Sequence, residues 1–472
     1  MYRKLLGVLA AVALLGLVVP GVMLVALTAA HPTFMVPTSN ALYFPAWMAG
    51  PLRGLWPGRA LGEHAVHTWV TVFLGTMYLA YVTAVALSGK LRLRWVIGAI
   101  LAIHLAFLLA PPLQYTDVFN YINYGRMGVV HHLNPYTTVP MLEPQNDATF
   151  TLSNWHWLVS PYGPIFTLLT YLLVPLGVAG AFWTLKAILL LASLSVLALV
   201  WRSAQILGRD PVRALLLVGL NPIVLVWGIG ADHNDVLMVL PLVLGVHLLI
   251  RARAGSPSVR LPLLRARIAR ECLAAGAFVA AAGVKASAAV AIPIAFAIAP
   301  RRRAFVTGFA IAIATLGLAS LVAFGLHVPG VGPQTKLVTG IGPANLLGWA
   351  LGQGGETDTL RTVLTVLAGG FVLYAAVSAS RPGRDWIALA GASLFVVWMT
   401  TSWFAPWYIA WILPFAALAE RRRLTVCLLA VGVYILLAFG PEVTPLLKAV
   451  HFNPFGSPIG IEHYRENSHL VQ

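Results

Sequence analysis

The feature that most constrains the fold is a series of apolar runs, many of them about as long as a membrane-spanning helix. They cover roughly residues 5–29, 66–88, 95–112, 181–201, 212–229, 235–250, 304–327, 360–380, 386–402, 406–419 and 423–440. A helix needs about 20 apolar residues to cross the hydrocarbon core of a bilayer. With 59% hydrophobic and only 10% charged residues, the chain lacks the polar surface of a soluble enzyme and the low hydrophobicity of a disordered protein. The sequence therefore predicts an all-α polytopic membrane protein.

The charged residues predict how the chain is oriented in the membrane. Most of the 31 Lys and Arg residues fall in alternate connections between the apolar runs, and most of the 15 acidic residues fall in the others. By the positive-inside rule we predict a cytoplasmic N-terminus and a bundle of about 13 transmembrane helices. The formal net charge of +16 is then an orientation signal and an anchor to anionic lipids of the bilayer, and it offers no support for nucleic-acid binding.

The same charge pattern predicts the path of two ambiguous apolar segments. Residues 161–178 should re-enter or lie in the interface, because outer acids precede them and a basic loop follows the next span. Residues 271–300 should cross twice with an outer turn near Lys285, and a single kinked span is the alternative. The resulting domains are one transmembrane domain at 1–440, with an outer loop and re-entrant or interfacial segment at 113–180, and an extracytoplasmic tail at 441–472.

Polar segments on the predicted outer side are the candidates for chemistry. Asp117 follows the run at 95–112 directly, so its carboxylate lies at the membrane boundary, where it could act as a general base or simply cap the helix that follows. Arg126, Asn134 and Tyr136 come next along this segment. A second segment, Ser160-Pro161-Tyr162-Gly163-Pro164, is either a rigid turn or part of a binding site.

Three further polar segments interrupt the apolar runs. The short connection Asp232-His233-Asn234-Asp235 could contact a polar substrate or cap a helix, while three adjacent residues cannot easily close a metal coordination sphere. Lys285 stands alone in an apolar stretch, where it would attract a phosphate or extend toward the interface. Trp407 and Tyr408 are either a sugar-stacking surface or part of an aromatic interface belt.

Motifs of soluble enzymes are absent from the sequence. There is no GxxxxGK[ST] phosphate loop, no GxGxxG after a strand, no HExxH and no GxSxG,. The two cysteines, Cys272 and Cys427, are too few for a disulfide framework or a cysteine-rich metal site. We therefore expect any chemistry to take place at the outer face, on a substrate delivered through the membrane.

The polar segments described above, in the order in which they follow along the chain, resemble those of the GT-C superfamily of glycosyltransferases, which use polyprenyl-phosphate sugars. The resemblance is greatest to the actinobacterial polyprenol-phosphate-mannose-dependent α-1,6-mannosyltransferases of lipomannan synthesis. It rests on the segment from Asp117 to Tyr136, the Ser160–Pro164 turn, the stretch from Leu220 to Met238, and Val284-Lys285-Ala286. The resemblance implies a GT-C-like helical bundle with interfacial helices at the outer face of a bacterial plasma membrane.

The activity that the resemblance implies is inverting transfer of mannose. The donor would be a polyprenyl-phosphate-mannose, the acceptor a cell-envelope glycolipid or lipoglycan, and Asp117 the catalytic base. The residues implied for the donor phosphate are Lys285, Arg126 and His233, and those implied for substrate contacts are Asn134, Tyr136, Tyr162, Asn234, Asp235, Trp407 and Tyr408. No cofactor is expected, and a monophosphate leaving group met by fixed cations does not require a metal.

Three alternatives remain open from the sequence. One is transfer of another sugar, such as arabinofuranose, from a polyprenyl carrier. Another is a transporter or flippase for a lipid-linked sugar, although such proteins place ionisable groups near the midplane and show internal repeats. The third is a non-catalytic membrane scaffold, which would not need polar groups to converge on one face.

Overall fold

The structure is a computed structural model that describes residues 2–31, 45–57, 61–113, 117–254 and 261–460, and within these ranges it contains helices and connections but no strand. The α-helices are α1 (Tyr2–Ala30), α2 (Glu63–Ala86), α3 (Leu93–Leu108), α4 (Asp117–Val129), α5 (Pro164–Leu173), α6 (Gly177–Ile206), α7 (Pro211–Gly219), α8 (Asp235–Arg253), α9 (Leu261–Val284), α10 (Ile292–Ile298), α11 (Arg302–Phe324), α12 (Val331–Gln334), α13 (Pro343–Ala350), α14 (Asp358–Ala379), α15 (Trp386–Thr400), α16 (Ile409–Leu418), α17 (Arg423–Ala438) and α18 (Val443–Ala449). A π-helical turn, Val224–Gly230, precedes α8, and short 3-10 turns precede α10 and α16 at Ala286–Ala291 and Pro406–Tyr408.

The helices confirm the predicted class of an all-α polytopic membrane protein. Six of the described helical segments are long and apolar enough to cross a membrane, and two bent helix pairs raise this number to as many as eight. The predicted 13 spans are not confirmed, because several apolar helices, such as α3, α15 and α16, have only 10–17 residues and fall short of a full crossing. Helix α5 runs into α6 through one short turn, so the two form one apolar segment of 43 residues.

The chain reverses direction at Lys285, where the sequence placed an outer turn. Helix α9 ends at Val284, and the 3-10 turn and α10 lead back toward the point where the segment began. Arg301 marks this return, because its backbone N–H donates to Glu271 Oε2 at 2.6 Å and its guanidinium lies 3.5 Å from Glu271 Oε1. The segment is therefore a helical hairpin with Lys285 at its tip.

A second helical hairpin has the same construction. Helix α15 leads to the segment 401–408, and α16 returns alongside α15. The Asp385 carboxylate caps the start of α15 by accepting from Ala388 N at 3.0 Å, and it also accepts from Glu420 N at 2.6 Å just after the end of α16. The tip of this hairpin carries the aromatic residues that were predicted to contact a sugar.

The structure separates the polar tips from the basic connections. At one end, Leu113 N donates to Gly230 O at 3.0 Å, which brings the segment before α4 to the segment before α8. At the other end, Arg253 donates to Ile298 O at 2.7 Å, which joins the basic end of α8 to the end of α10. The bundle thus has a polar-tip end and a basic end, and the compartment that each end faces remains a prediction.

Helix α4 and the segment that follows it form a cover over the polar-tip end. The Tyr124 hydroxyl donates to Leu158 O at 2.7 Å, and Gly163 N donates to Val284 O at 3.1 Å. A Cβ on Gly163 would lie 2.2 Å from Gly283 O, so only glycine allows this close approach. The predicted rigid turn at 160–164 therefore packs directly against the tip that carries Lys285.

Candidate active site

Asp117 is the first residue of α4, and its carboxylate contacts two ring nitrogens from other segments. Oδ1 accepts a hydrogen bond from Trp155 Nε1 at 2.9 Å, and Oδ2 lies 3.0 Å from His233 Nε2. Its side chain is 12% exposed. These two contacts hold the carboxylate in one orientation, which is the arrangement that a positioned base requires.

The contacts of His233 determine where its protons lie. Its Nδ1 is 2.6 Å from Trp227 O, and a carbonyl oxygen can only accept, so Nδ1 carries a proton. Its Nε2 is thereby the ring atom that faces the Asp117 carboxylate. The Trp407 ring stacks on the imidazole with the centroids 3.5 Å apart. His233 thus contacts Asp117 from a fully buried position.

The backbone before α8 explains why His233 can reach Asp117. The chain leaves the π-helical turn with Asp232 in the left-handed region, at φ 59°. The Asp232 carboxylate is fully buried, 3.5 Å from the Nζ of Lys186 on α6. His233 N donates to Gly228 O at 3.0 Å. The buried ion pair and the left-handed backbone of Asp232 together orient the side chain of His233 toward Asp117.

Lys285 lies at its hairpin tip in contact with Asp235. Its Nζ is 2.9 Å from Oδ1 and 2.8 Å from Oδ2 of Asp235. Trp411 Nε1 also donates to Oδ1 of Asp235 at 2.7 Å, and the ammonium lies 4.5 Å from the centre of the Tyr408 ring. The Lys285 side chain is 19% exposed, so it is held by the site rather than extended toward the membrane surface.

A narrow cleft of about 30 Å³ brings these groups together,. It is lined by Asp117, Tyr121, Trp155, Tyr162, His233, Lys285, Gln334, Leu337, Trp403, Trp407 and Tyr408. A carboxylate, a cation and several aromatic rings therefore face one small space at the polar-tip end of the bundle. Such a space suits a reaction in which a hydroxyl is deprotonated beside an anionic leaving group.

The structure brings six of the predicted residues to the cleft. They are Asp117, Tyr162, His233, Lys285, Trp407 and Tyr408. Asp235 supports the cleft through Lys285. Tyr136 fixes the neighbouring turn, because its hydroxyl donates to Tyr162 O at 2.9 Å. Asn134 joins two segments by donating to Phe324 O at 2.8 Å and accepting from Tyr136 N at 3.0 Å.

Arg126 and Asn234 do not line the cleft. The Arg126 guanidinium forms a two-pronged contact with Asp147, at 2.9 Å from Nε to Oδ1 and 2.8 Å from Nη2 to Oδ2. His131 Nε2 lies 2.7 Å from Asp147 Oδ2. Burial alone would raise the pKa of Asp147, but the hydrogen bonds from Arg126, Thr149 and His131 hold that pKa below its usual range. Asn234 is fully buried, and neither residue is among those that line the cleft.

Several cleft residues have no signal in the sequence that would single them out. Trp155 and Leu337 lie in connections of ordinary composition and Gln334 ends the short helix α12, and all three reach the cleft only through the fold. Trp403 lies at the same hairpin tip as the predicted Trp407 and Tyr408, with its ring centroid 5.8 Å from that of Trp155. Among the residues that the structure describes, no group of three His, Cys, Asp or Glu side chains could hold a metal ion.

Comparisons with known proteins show which family the chain resembles. The family model described as "Alpha-(1->6)-mannopyranosyltransferase, N-terminal domain" matches residues 13–301, a range that contains Asp117, His233 and Lys285. Alpha-(1->6)-mannopyranosyltransferase A of Mycobacterium tuberculosis is 28% identical over 372 residues, which are 71% of this chain and 67% of the relative. A probable alpha-(1->6)-mannopyranosyltransferase of Mycolicibacterium smegmatis is 28% identical over 380 residues, 69% of this chain and 66% of the relative.

A third relative extends the comparison to another genus. Alpha-(1->6)-mannopyranosyltransferase A of Corynebacterium glutamicum is 25% identical over 202 residues, which are 42% of this chain and 40% of the relative. The chain spans at most about two thirds of the length of these relatives, 67% in the first. No solved structure shows a significant match. The family match confirms the resemblance that the sequence motifs indicated.

Proposed function

The chain belongs to the alpha-(1->6)-mannopyranosyltransferase family, and on that basis we propose that it transfers mannose, with inversion, from a polyprenyl-phosphate donor. The acceptor is a hydroxyl of a cell-envelope glycolipid or lipoglycan at the outer face of a bacterial plasma membrane. A GT-C-like fold is part of the same proposal. The observation that carries it is the Asp117 carboxylate, which is held by Trp155 and His233 at the cleft that also contains Lys285.

The proposed reaction is a single displacement. The acceptor hydroxyl gives its proton to Asp117 as its oxygen attacks the anomeric carbon, and the bond from that carbon to the phosphate oxygen breaks. One base and one displacement invert the configuration, since retention would need a second nucleophile. The leaving phosphate gains negative charge, which the Lys285 ammonium is placed to stabilise. The described residues supply these roles themselves, so the proposal includes no metal or cofactor.

The neighbours of Asp117 suit it to this role. Ring nitrogens of Trp155 and His233 contact the two oxygens of the carboxylate, and Asp117 still lines the cleft. Hydrogen bonds of this kind favour the ionised form of a carboxylate. His233 contacts Asp117 through Nε2 while its Nδ1 keeps the carbonyl contact with Trp227. The group that takes up the proton is therefore held in one orientation before the reaction begins.

Asp117→Asn tests the proposal because it preserves size and removes the base. We expect a fall in kcat of about 10²–10⁴-fold, measured as transfer of labelled mannose from a polyprenyl-phosphate donor to a mannoside acceptor. Glu420→Gln, which neutralises an exposed carboxylate at the basic end, is the matched control and should retain activity. Full activity of Asp117→Asn would remove this carboxylate from the mechanism, and a product with the donor's configuration would exclude a single displacement.

A further inference from the structure

Two larger cavities adjoin the cleft on different sides. One, here called the α14 cavity, has a volume of about 240 Å³ and shares Lys285, Gln334 and Tyr408 with the cleft,. The other, here called the α18 cavity, has a volume of about 620 Å³ and shares Trp407 with the cleft,. Trp403 lines all three spaces. A substrate in either cavity would thus lie next to the cleft that contains the Asp117 carboxylate.

The two cavities differ in charge. Among the described residues, the wall of the α14 cavity includes the cations Lys285 and Arg361 and no carboxylate. Arg361 donates to Thr335 O at 3.0 Å and pairs with Asp358, and these contacts use two of its five N–H donors. The described wall of the α18 cavity includes Glu63 and His67, which lie 3.8 Å apart, and no Lys or Arg. An anionic group therefore fits the α14 cavity better than the α18 cavity.

The two cavities also open onto different surroundings. Thr365, at the α14 cavity, is exposed beside Val366 and Leu367, which are 68% and 61% exposed on a membrane-capable helix. The helix that carries Thr365 therefore also presents exposed apolar side chains, against which a lipid chain can lie. The α18 cavity opens beside the exposed Phe455 and the first turn of α2, where the Glu63 side chain is 87% exposed. Its rim is reached from the polar-tip end rather than from the bilayer.

We infer that the two cavities divide the substrates. The α14 cavity takes the phosphate and the first lipid units of the donor, with Arg361 as a second cation beside Lys285. The α18 cavity takes the uncharged glycan of the acceptor, which meets the aromatic faces of Trp403, Trp407 and Phe455. This inference rests on the proposed function, because it names the position of each substrate in the same reaction.

Binding measurements test the division without turnover. The full chain in lipid nanodiscs is titrated with a polyprenyl phosphate that carries no sugar, and separately with a soluble α-1,6-linked mannoside. Arg361→Gln should weaken the polyprenyl phosphate about tenfold or more, as expected for loss of a charge-assisted hydrogen bond, and leave the mannoside unchanged. Phe455→Ala should weaken the mannoside by roughly two- to tenfold and leave the lipid phosphate unchanged.

Two further variants make the result specific. Arg361→Lys keeps the charge and should restore most of the affinity for the lipid phosphate. Arg381→Gln removes an exposed arginine just beyond the other end of α14 and should change neither affinity. Phe455 is 63% exposed, so its truncation removes little buried surface and the fold should persist.

The outcomes separate this inference from the proposed function. The division is overturned if the two variants affect the opposite ligands, if both affect the same ligand, or if neither changes any affinity. Absence of mannosyl transfer by the unmodified protein, with the donor and acceptor both supplied, would instead contradict the proposed function. The binding results would still decide which cavity takes the lipid phosphate.

Discussion

The carboxylates of the polar-tip end differ in how their negative charge is balanced. Asp117 faces His233 and Trp155, while Asp235 faces Lys285 and Trp411. Glu143 is different, because its Oε1 accepts from the neutral Asn123 amide at 2.7 Å and its Oε2 is buried with no hydrogen-bond partner among the described residues. Burial raises the pKa of Glu143 to about 7, and the Asn123 hydrogen bond offsets only part of that effect.

This raised pKa predicts how stability depends on pH. The folded protein holds a proton on Glu143 up to about pH 7, whereas the unfolded chain releases it at the lower pKa of an ordinary glutamate. The contribution of Glu143 to stability therefore falls as pH rises through that window and stays unfavourable above it. Glu143→Gln keeps the hydrogen bond from Asn123 without the charge, so we expect it to raise the thermal unfolding temperature at pH 8 and leave it nearly unchanged at pH 5.

Thermal unfolding of the protein in detergent, measured from pH 5 to pH 8, checks this prediction. Glu420→Gln removes an exposed carboxylate and serves as the charge-matched control. Equal pH dependence in Glu143→Gln and the unmodified protein would show that this carboxyl does not titrate in the window. A loss of stability at every pH would instead assign the side chain a contact that glutamine cannot make.

The buried pair of Lys186 and Asp232 predicts a different pattern. Both side chains are almost completely buried and lie 3.5 Å apart. Lys186→Met leaves the Asp232 carboxylate unpaired in the bundle interior, which should cost about 3–5 kcal/mol of stability. The double variant Lys186→Met, Asp232→Asn removes both charges and should recover much of that loss, as measured by unfolding in denaturant. Additive losses in the double variant would show that the two charges do not interact.

Single residues could be identified from the sequence when they are polar in an apolar context. Asp117, His233 and Lys285 were singled out for that reason, and all three line the cleft. Their partners could not be predicted, since the contact between Asp117 and His233 joins residues 116 positions apart. Arg126 was predicted to bind a phosphate, but its guanidinium is bound to the Asp147 carboxylate. The sequence did not indicate this pairing either, although the two residues are only 21 positions apart.

At the scale of elements, the site is assembled from hairpin tips and turns that meet at one end of the bundle. The tip at Lys285 packs against the turn at 160–164, where Gly163 donates to Val284 O. The lysine ammonium in turn lies over the ring of Tyr408 from the second hairpin. Each element alone is a short interruption of an apolar helix, and only their meeting produces a cleft.

Gly163→Ala tests this packing. The added Cβ would lie 2.2 Å from Gly283 O, which is backbone and cannot rotate away. We expect a loss of about 1–3 kcal/mol of stability and a fall in mannosyl transfer, because the tip carrying Lys285 must shift. Unfolding midpoints and transfer rates, taken on the same preparation, measure both effects.

Gly276 provides the matched control for that substitution. It lies in α9, where the nearest atom to an added Cβ is Ala312 Cβ at 3.9 Å. Gly276→Ala should therefore be neutral or stabilising by up to about 1 kcal/mol through helix propensity. If the two alanine variants behaved alike, the close approach of the turn to the Lys285 tip would not matter for stability or transfer.

Element lengths show where sequence patterns reach their limit. The long runs that form α1, α2, α11 and α14 could be recognised, because an uninterrupted apolar run of that length is typical of a membrane-spanning helix. The count of about 13 came from counting shorter runs as complete crossings. Helices such as α3 and α16 have 10–17 residues, and hydrophobicity alone does not distinguish a partial crossing from a complete one.

At the scale of the whole molecule, the candidate active site and the arginine-rich connections lie at opposite ends of the bundle. Helix α14 connects the two ends in one continuous segment, from Asp358 to Ala379. Just before it, Glu356 accepts from the Ser402 hydroxyl at 2.6 Å at the second hairpin tip. Just after it come Arg381 and Arg384. The positive-inside rule assigns the arginine end to the cytoplasm, so the cleft should face outward.

Cysteine labelling across α14 tests this orientation directly. Cys272 and Cys427 are the two cysteines of the chain, and both are first replaced by alanine. Gln353→Cys and Arg381→Cys are then made separately, because these exposed positions flank the two ends of the helix. A membrane-impermeant maleimide should label Gln353→Cys in intact cells and Arg381→Cys only after permeabilisation. The reverse pattern would place Asp117 on the cytoplasmic side, where the acceptor and donor proposed for the cleft could not both reach it from the outer leaflet.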